Sequence, residues 1–404
     1  MTSSRSSAVH QVVATLGYGD AIGNEALGIQ RALRSAGHRS DIFVQTADPG
    51  LEAWTRPYTE MIQECTADDV LLHHFSIGSR ASRLAYALPC RTALIYHNIT
   101  PPEYFVGVNT RFARLCFRGR RELGAHAGAC DLALGDSEFN RQELEALGFP
   151  RTGVLPVVPD FSHLDVEPNR FVRSHFDDDR TNILFVGRLI PNKRFEDLIR
   201  FFQAYRALFD PRARLLLVGS DRYFEGYGVA LRRLATRIGA GDVHFAGHVS
   251  NEELTAYYDV ADLFLCASEH EGFCVPLVEA FYKGVPVLAY AAAAVPATLD
   301  GGGVLYATRD PVRVAGLIEA LVSEDGLRQL VVEAQDAALE RLRSRDFPGT
   351  LLGFVDQVRR APARPPRRVP PDFWHQVRFA ERYEELREFR PSLYRALPKA
   401  PGTE

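Results

Sequence analysis

Short apolar runs recur along the first part of the chain, at Val9–Leu16, Asp41–Gln45, Val70–Phe75, Ala93–Asn98, Asp131–Gly135 and Val154–Val158. A strand buried on both faces reads as a continuous apolar run, so these segments predict a parallel sheet covered by the helical stretches between them. The first unit is the clearest. VHQVVATL is followed by GYGDAIGNEALGIQRALRSAGH, a glycine-rich turn leading into an amphipathic helix closed by Gly37.

A polar, proline-punctuated stretch over 159–180 has no sustained periodicity and reads as a linker. A second series then begins. NILFVGRL, ARLLLVGS, VHFAGHV, DLFLCAS and VPVLAY are strand candidates, with helices predicted over 194–209, 224–238, 251–259 and 277–283. A short strand at Gly303–Tyr306 and helices over 310–323 and 325–344 follow. The expected class is α/β with two Rossmann-like domains, an N-terminal one over 1–165 and a C-terminal one over 166–345. Residues 346–404 read as a C-terminal helix, the Pro/Arg-rich linker APARPPRRVPPDF and an appended helical tail, WHQVRFAERYEELREF. That tail either packs across the first domain, stays solvated, or meets a partner or membrane surface.

Composition agrees with two ordinary cores: 404 residues exceed one core of usual size, and 46% are apolar against 24% charged. A net charge of -4 argues against a dedicated nucleic-acid binder. Six cysteines, at 65, 90, 116, 130, 266 and 274, form no CxxC pair or zinc-spaced cluster, which fits free thiols in a reducing cytosol. The N-terminus lacks an apolar core of signal-peptide length, and no run approaches the ~18 apolar residues of a membrane span. A soluble, cytoplasmic protein is expected.

Candidate chemistry gathers at strand ends, where open α/β sheets hold ligands. In SEHEGFCVPLVEAFYKGVPVLAY, from Ser268, a buried strand runs into a glycine turn, Pro276 stands where a helix begins, and Glu271 and Glu279 flank the turn. Free backbone N–H groups at such a helix start suit a phosphate, and two carboxylates beside it suit hydroxyls. In FVGRLIPNKRFEDL, Arg188 and Lys193 are placed to converge on one diphosphate. His97 ends the strand in ALIYHNITPPEYF, and the proline pair after it predicts an irregular loop with the imidazole facing the cleft. Gly17, Gly19 and Gly23 lie between strand and helix but miss GxGxxG, the third glycine coming one residue late. Either a plain tight turn or a close approach to a pyrophosphate accounts for them.

Taken together these residues resemble glycosyltransferase family 4, retaining enzymes of the two-domain GT-B fold. The resemblance rests on the E-x7-E signature in EGFCVPLVE, on GRLIPNK, YHNITPPEYF and GYGDAIGNE, and on GDSEFNRQEL around Ser137. It spans about residues 9 to 345. The resemblance implies that Arg188 and Lys193 bind the diphosphate of a nucleotide sugar, and that Glu271 contacts the transferred sugar with the backbone of Gly272, Phe273 and Cys274. Glu279 would bind the ribose, His97 would lie near the sugar and acceptor, and Gly17, Gly19 and Gly23 would close over the pyrophosphate. Ser137 would stand near the donor or acceptor. The acceptor would be a glycan or lipid-linked, and the leaving phosphate would take its proton.

No cofactor beyond the donor and no metal is expected, since two cations already meet the diphosphate and the run Asp177–Asp179 reads as solvated charge. RFARLCFRGRRELGAH, over 111–126, carries Arg111, Arg114, Arg118, Arg120 and Arg121 among Phe112, Leu115 and Phe117. It is either a solvated helix face or a peripheral contact with anionic lipid. Two rival readings stand: a catalytically silent sugar-nucleotide scaffold, and an oxidoreductase or epimerase, which the missing GxGxxG disfavours.

Overall fold

The computed structural model describes residues 7–17, 21–157 and 160–362. Its first sheet contains β1 (Val9–Leu16), β2 (Ile42–Ala47), β3 (Thr55–Pro57), β4 (Val70–Phe75), β5 (Arg91–Tyr96), β6 (Leu132–Gly135) and β7 (Thr152–Val154). They pair in parallel in the order β3-β2-β1-β4-β5-β6-β7. The second sheet contains β8 (Asn182–Val186), β9 (Arg214–Val218), β10 (Val243–Gly247), β11 (Leu263–Cys266), β12 (Val287–Tyr290) and β13 (Val304–Tyr306). Its order is β10-β9-β8-β11-β12-β13, again parallel. Strand order reverses between β1 and β4 and between β8 and β11, which opens a crevice at the carboxyl ends of each sheet.

The continuous apolar runs became strands because both faces are covered: every residue of β4 and of β9 is buried. β3 was not expected. It is a three-residue edge strand, Thr-Arg-Pro, whose proline is tolerated where no further ladder bond is required.

The linker reading of 159–180 is corrected. Residues Arg170–Phe176 form a helix capped by Asn169, whose side chain accepts from the N–H groups of Phe171 and Val172. Phe176 is buried in the second core, and Asn169 N–H donates to Glu252 O at 2.8 Å. This helix belongs to the second domain, and seven residues are too few to show a 3.6 period. The acids after it are surface ion pairs: Asp178 with Arg214, and Asp179 with Arg212 at 2.8 Å.

The chain then returns. Helix Phe347–Arg359 lays Leu351, Val355 and Val358 against Val9, Ile29 and Leu33 of the first domain. The predicted appended helix, and the linker from 363 onward, lie outside the described residues. Among the described residues no helix is long and apolar enough to cross a membrane, and all six cysteines are free and buried.

The two domains touch at the mouth of the crevice. Phe224 of the second meets Phe105 and Phe112 of the first, at ring-centroid distances of 5.7 and 5.3 Å. Asn109 Nδ2 donates to Tyr223 O at 2.7 Å beside them.

Candidate functional site

In the second domain, two strand-end loops are stitched together. Asn192 Nδ2 donates to His270 O at 2.9 Å, and Asn192 O accepts from Glu269 N–H at 2.8 Å. This sets Lys193 Nζ 2.6 Å from Glu271 Oε1, both side chains only 12% exposed. Burial alone would lower the ammonium pKa, but the Glu271 carboxylate outweighs it and holds Lys193 above its ordinary value. Arg188, by contrast, is exposed, and no side chain among the described residues pairs with its guanidinium. One buried cation and one uncommitted cation therefore flank the end of β8. Glycine permits this: a Cβ at Gly219 would stand 1.9 Å from Gly187 O, so the ends of β8 and β9 meet backbone to backbone.

The helix Val275–Tyr282 starts from Cys274, held at φ 75° with no side-chain cap and with Pro276 in its first turn. Its leading N–H groups therefore have no side-chain acceptor, the condition for holding an anion. Cys274 turns its thiol inward to hydrogen-bond with that of Cys266, which together with burial raises its pKa. Gly272 and Phe273 remain part-exposed at the crevice.

Glu279 is deeper. Its Oε2 accepts from Tyr258 OH at 2.8 Å and its Oε1 lies 2.9 Å from His163 Nε2. His163 Nδ1 lies 3.0 Å from Asp160 O, a carbonyl that can only accept, so Nδ1 carries a proton and a second one on Nε2 would be donated to Glu279. The hydrogen bond to Glu279 is the main reason its pKa is raised. Neither partner was foreseen, because His163 comes from the interdomain crossing and Tyr258 from a distant helix.

A group with a raised folded pKa contributes stability that is complete below its ordinary value of about 6.5 and is lost as pH climbs through the raised one. The melting temperature of the wild type should thus exceed that of His163→Gln most clearly near pH 6. The gap should close by pH 9, as measured by paired thermal melts. A gap that stays constant with pH would contradict the charged pair.

The first domain places its residues differently from the sequence expectations. Gly23 is not in the turn but in the helix Ala21–Ser35, where a Cβ would lie 3.0 Å from Gly17 O. Gly17 does follow β1, and Gly19 lies outside the described residues. The His97 ring is buried: its side chain is 2% exposed, with Nε2 2.8 Å from His74 Nδ1 and Nδ1 3.1 Å from Asp136 Oδ2. Glu25 Oε2 stands 3.7 Å from the same Nδ1. Ser137 is buried and caps the helix Glu138–Ala146, accepting from Asn140 N–H at 3.3 Å.

What does reach across is Asn98, at φ 70°. Its Oδ1 lies 2.7 Å from His270 Nε2, and its Nδ2 donates to Asn140 Oδ1 at 2.8 Å. A Cβ on Gly272 would be 2.7 Å from the Asn98 Cβ, so the two domains are in direct contact at this glycine. The tolerance of asparagine for positive φ was the available signal.

Anabaena Alr3699/HepE, solved in complex with UDP-glucose, is similar with a TM-score of 0.65 over 86% of this chain and 99% of its own, at 17% identity. The fold is GT-B. Within this GT-B frame, residues 166–336, the domain holding Arg188, Lys193, Glu271 and Glu279, match the family model described as glycosyl transferases group 1. Over part of its length the chain is 30% identical, across 171 residues, to the mannosylfructose-phosphate synthase of Agrobacterium fabrum. It is 26% identical, across 147 residues, to the O-antigen chain mannosyltransferase B of Escherichia coli. These matches cover 40% and 36% of this chain and 37% and 38% of those relatives. The matched part thus spans less than half the length of the curated relatives.

Proposed function

We propose that this chain is a retaining glycosyltransferase of family 4 type. It moves a hexosyl unit from a nucleotide-diphosphate sugar to a glycan or lipid-linked acceptor in bacterial polysaccharide or glycolipid assembly. The observation that carries this reading is the buried Lys193–Glu271 pair beside the uncommitted Arg188, with Glu279 eight residues on. Glycosyl transfer passes through an oxocarbenium-like state as a diphosphate departs, so stabilising the leaving charge is the main task. Lys193, Arg188 and the uncapped helix start after Gly272 perform it. Glu271 meets the transferred sugar and orients Lys193, while Glu279, fixed by Tyr258 and His163, takes the ribose hydroxyls. Asp136 and His74 engage both ring nitrogens of His97, so that residue shapes the wall through its main chain and Asn98. The UDP-glucose of HepE and the mannosyl transfer in the second relative's name support the substrate class. The diphosphate is met by side-chain cations, and no metal is assigned to it.

The test is donor turnover with the full chain across UDP-, GDP- and ADP-sugars, with product anomers read by NMR. Retention of the donor's anomeric configuration is expected. Absence of binding and hydrolysis for every donor overturns the reading, and binding without turnover selects the silent scaffold instead.

An acceptor at a lipid surface would meet helix Thr110–Ala125, where Arg111, Arg114, Arg118, Arg121 and Phe117 are exposed. Arg120 instead turns inward, donating to Ile99 O at 2.7 Å and Glu143 Oε1 at 2.9 Å. Co-sedimentation with vesicles containing anionic lipid should fall severalfold in Phe117→Ser and vanish at high salt. Equal pelleting of both proteins would count against a membrane face.

A further inference from the structure

We propose that Glu25, His97 and Asp136 form a binding site for one first-row divalent cation, Mn²⁺ or Zn²⁺, in the first domain, apart from the diphosphate loops. Strands β1, β4, β5 and β6 are neighbours in the sheet, so the residues at their carboxyl ends converge. The ends of β4, β5 and β6 bring His74, His97 and Asp136 into one row, Gln11 reaches His74 from the first half of β1, and the helix Ala21–Ser35 adds Glu25.

The protons in this row are determined by one amide. Gln11 Nε2 donates to the backbone carbonyl of Ala26 at 3.0 Å, so Gln11 Oε1 is left to accept, from His74 Nε2 at 2.9 Å. His74 therefore carries its proton on Nε2. Its Nδ1, 2.8 Å from His97 Nε2, is left as the acceptor of a bond from that nitrogen. The relay leaves His97 Nδ1 as the nitrogen turned toward two carboxylates, with Asp136 Oδ2 at 3.1 Å and Glu25 Oε2 at 3.7 Å.

Both carboxylate side chains are less than a tenth exposed, and the second oxygen of each, Glu25 Oε1 and Asp136 Oδ1, has no hydrogen-bond partner. Two buried acids beside one imidazole are poorly served by a single proton. An Nδ1–H can satisfy Asp136 Oδ2, yet it leaves both second oxygens unsatisfied. A divalent cation with its own water ligands satisfies all of them.

The spacing is close to what such an ion needs: Asp136 Oδ2 already lies 3.1 Å from His97 Nδ1, and Glu25 Oε2, at 3.7 Å, would draw in on binding. Metal–ligand distances of about 2.0–2.2 Å put neighbouring ligand atoms roughly 3 to 3.5 Å apart. The three ligand atoms here lie within 4.8 Å of one another. One imidazole with two carboxylates favours Mn²⁺ or Zn²⁺ over the all-oxygen preference of Ca²⁺. His74 is the outer partner that orients a metal-bound histidine through its far nitrogen. The ion would tie the start of the first helix to the ends of β5 and β6, directly behind Asn98. This site stands on its own residues whether or not the chain transfers a sugar.

The test uses the full chain after chelator treatment, titrated with Mn²⁺ and followed by electron paramagnetic resonance, with Zn²⁺ as competitor. One Mn²⁺ per chain is expected, with nitrogen modulation from an imidazole ligand in pulsed spectra and a higher melting temperature when loaded. Glu25→Gln and Asp136→Asn should each remove stoichiometric binding, and His74→Ala should weaken it by about 10- to 100-fold. Failure of both ions to bind, or unchanged binding in Glu25→Gln and Asp136→Asn, overturns the proposal and leaves only a hydrogen bond between His97 Nδ1 and Asp136. Should those variants not fold, the wild-type pulsed spectrum decides, since bound Mn²⁺ without nitrogen modulation is an ion held elsewhere.

Discussion

Replacement of Arg188 by glutamine is expected to lower donor turnover by about 10²-fold or more while leaving the melting temperature nearly unchanged, and replacement of Lys193 by methionine to lower both. The contrast follows from burial. Arg188 is exposed and has no side-chain partner among the described residues, so the folded state should lose little when its charge is removed. Lys193 is paired with Glu271 at 2.6 Å, and its removal strands a buried carboxylate, a change that costs about 3–5 kcal/mol where a pair is fully desolvated. The double variant Lys193→Met with Glu271→Gln separates the two effects. It should regain much of the lost stability, because no lone charge remains, without regaining turnover, because the diphosphate still lacks its buried cation. Steady-state kinetics and thermal melts on the four proteins check this. Wild-type turnover in the double variant would remove Lys193 from the mechanism.

Arg188, Lys193 and Glu271 could be placed from the sequence because each closely follows a strand end that the apolar runs already marked, and Glu279 because it lies in the helix after the same turn. Local order is enough for that: a run such as NILFVGRL shows where β8 stops, and Arg188 and Lys193 come next in the chain. The same logic placed the helices over 195–208 and 311–323 within a residue or two of their observed ends. It failed where partners come from separate strands. Gln11, His74, His97 and Asp136 are neighbours only because β1, β4, β5 and β6 are adjacent in the sheet, and no spacing in the sequence encodes that order. His97 was therefore assigned to the crevice from its strand-end position, while the row beside it draws the ring inward. Glu279 shows both cases at once, the carboxylate itself being readable and its two supports, Tyr258 and His163, arriving by tertiary contact.

The contact between domains leads to the second large effect, at Gly272. Alanine there would bring a Cβ within 2.7 Å of the Asn98 Cβ and 3.1 Å of Asn140 Nδ2. Carbon atoms pack at about 3.5–4.0 Å, so something must move by roughly 1 Å. Asn98 cannot easily yield, since His270, Asn140 and Glu143 all hold its amide and its backbone is already at φ 70°. The domains would have to part instead. A displacement of that size between reacting groups costs about 10²-fold in rate, whereas the loops of the second domain keep their own internal bonds. Gly272→Ala is thus expected to bind the donor nucleotide within a few-fold of wild type and to turn over about 10²-fold more slowly. Adding Asn98→Gly removes the opposing Cβ and suits the positive φ, so the pair should recover part of the rate even without the bond to His270. Isothermal titration with the nucleoside diphosphate and single-turnover kinetics distinguish the two quantities. If Gly272→Ala keeps its rate, or loses nucleotide affinity in the same proportion, closure against Asn98 is not what this glycine serves.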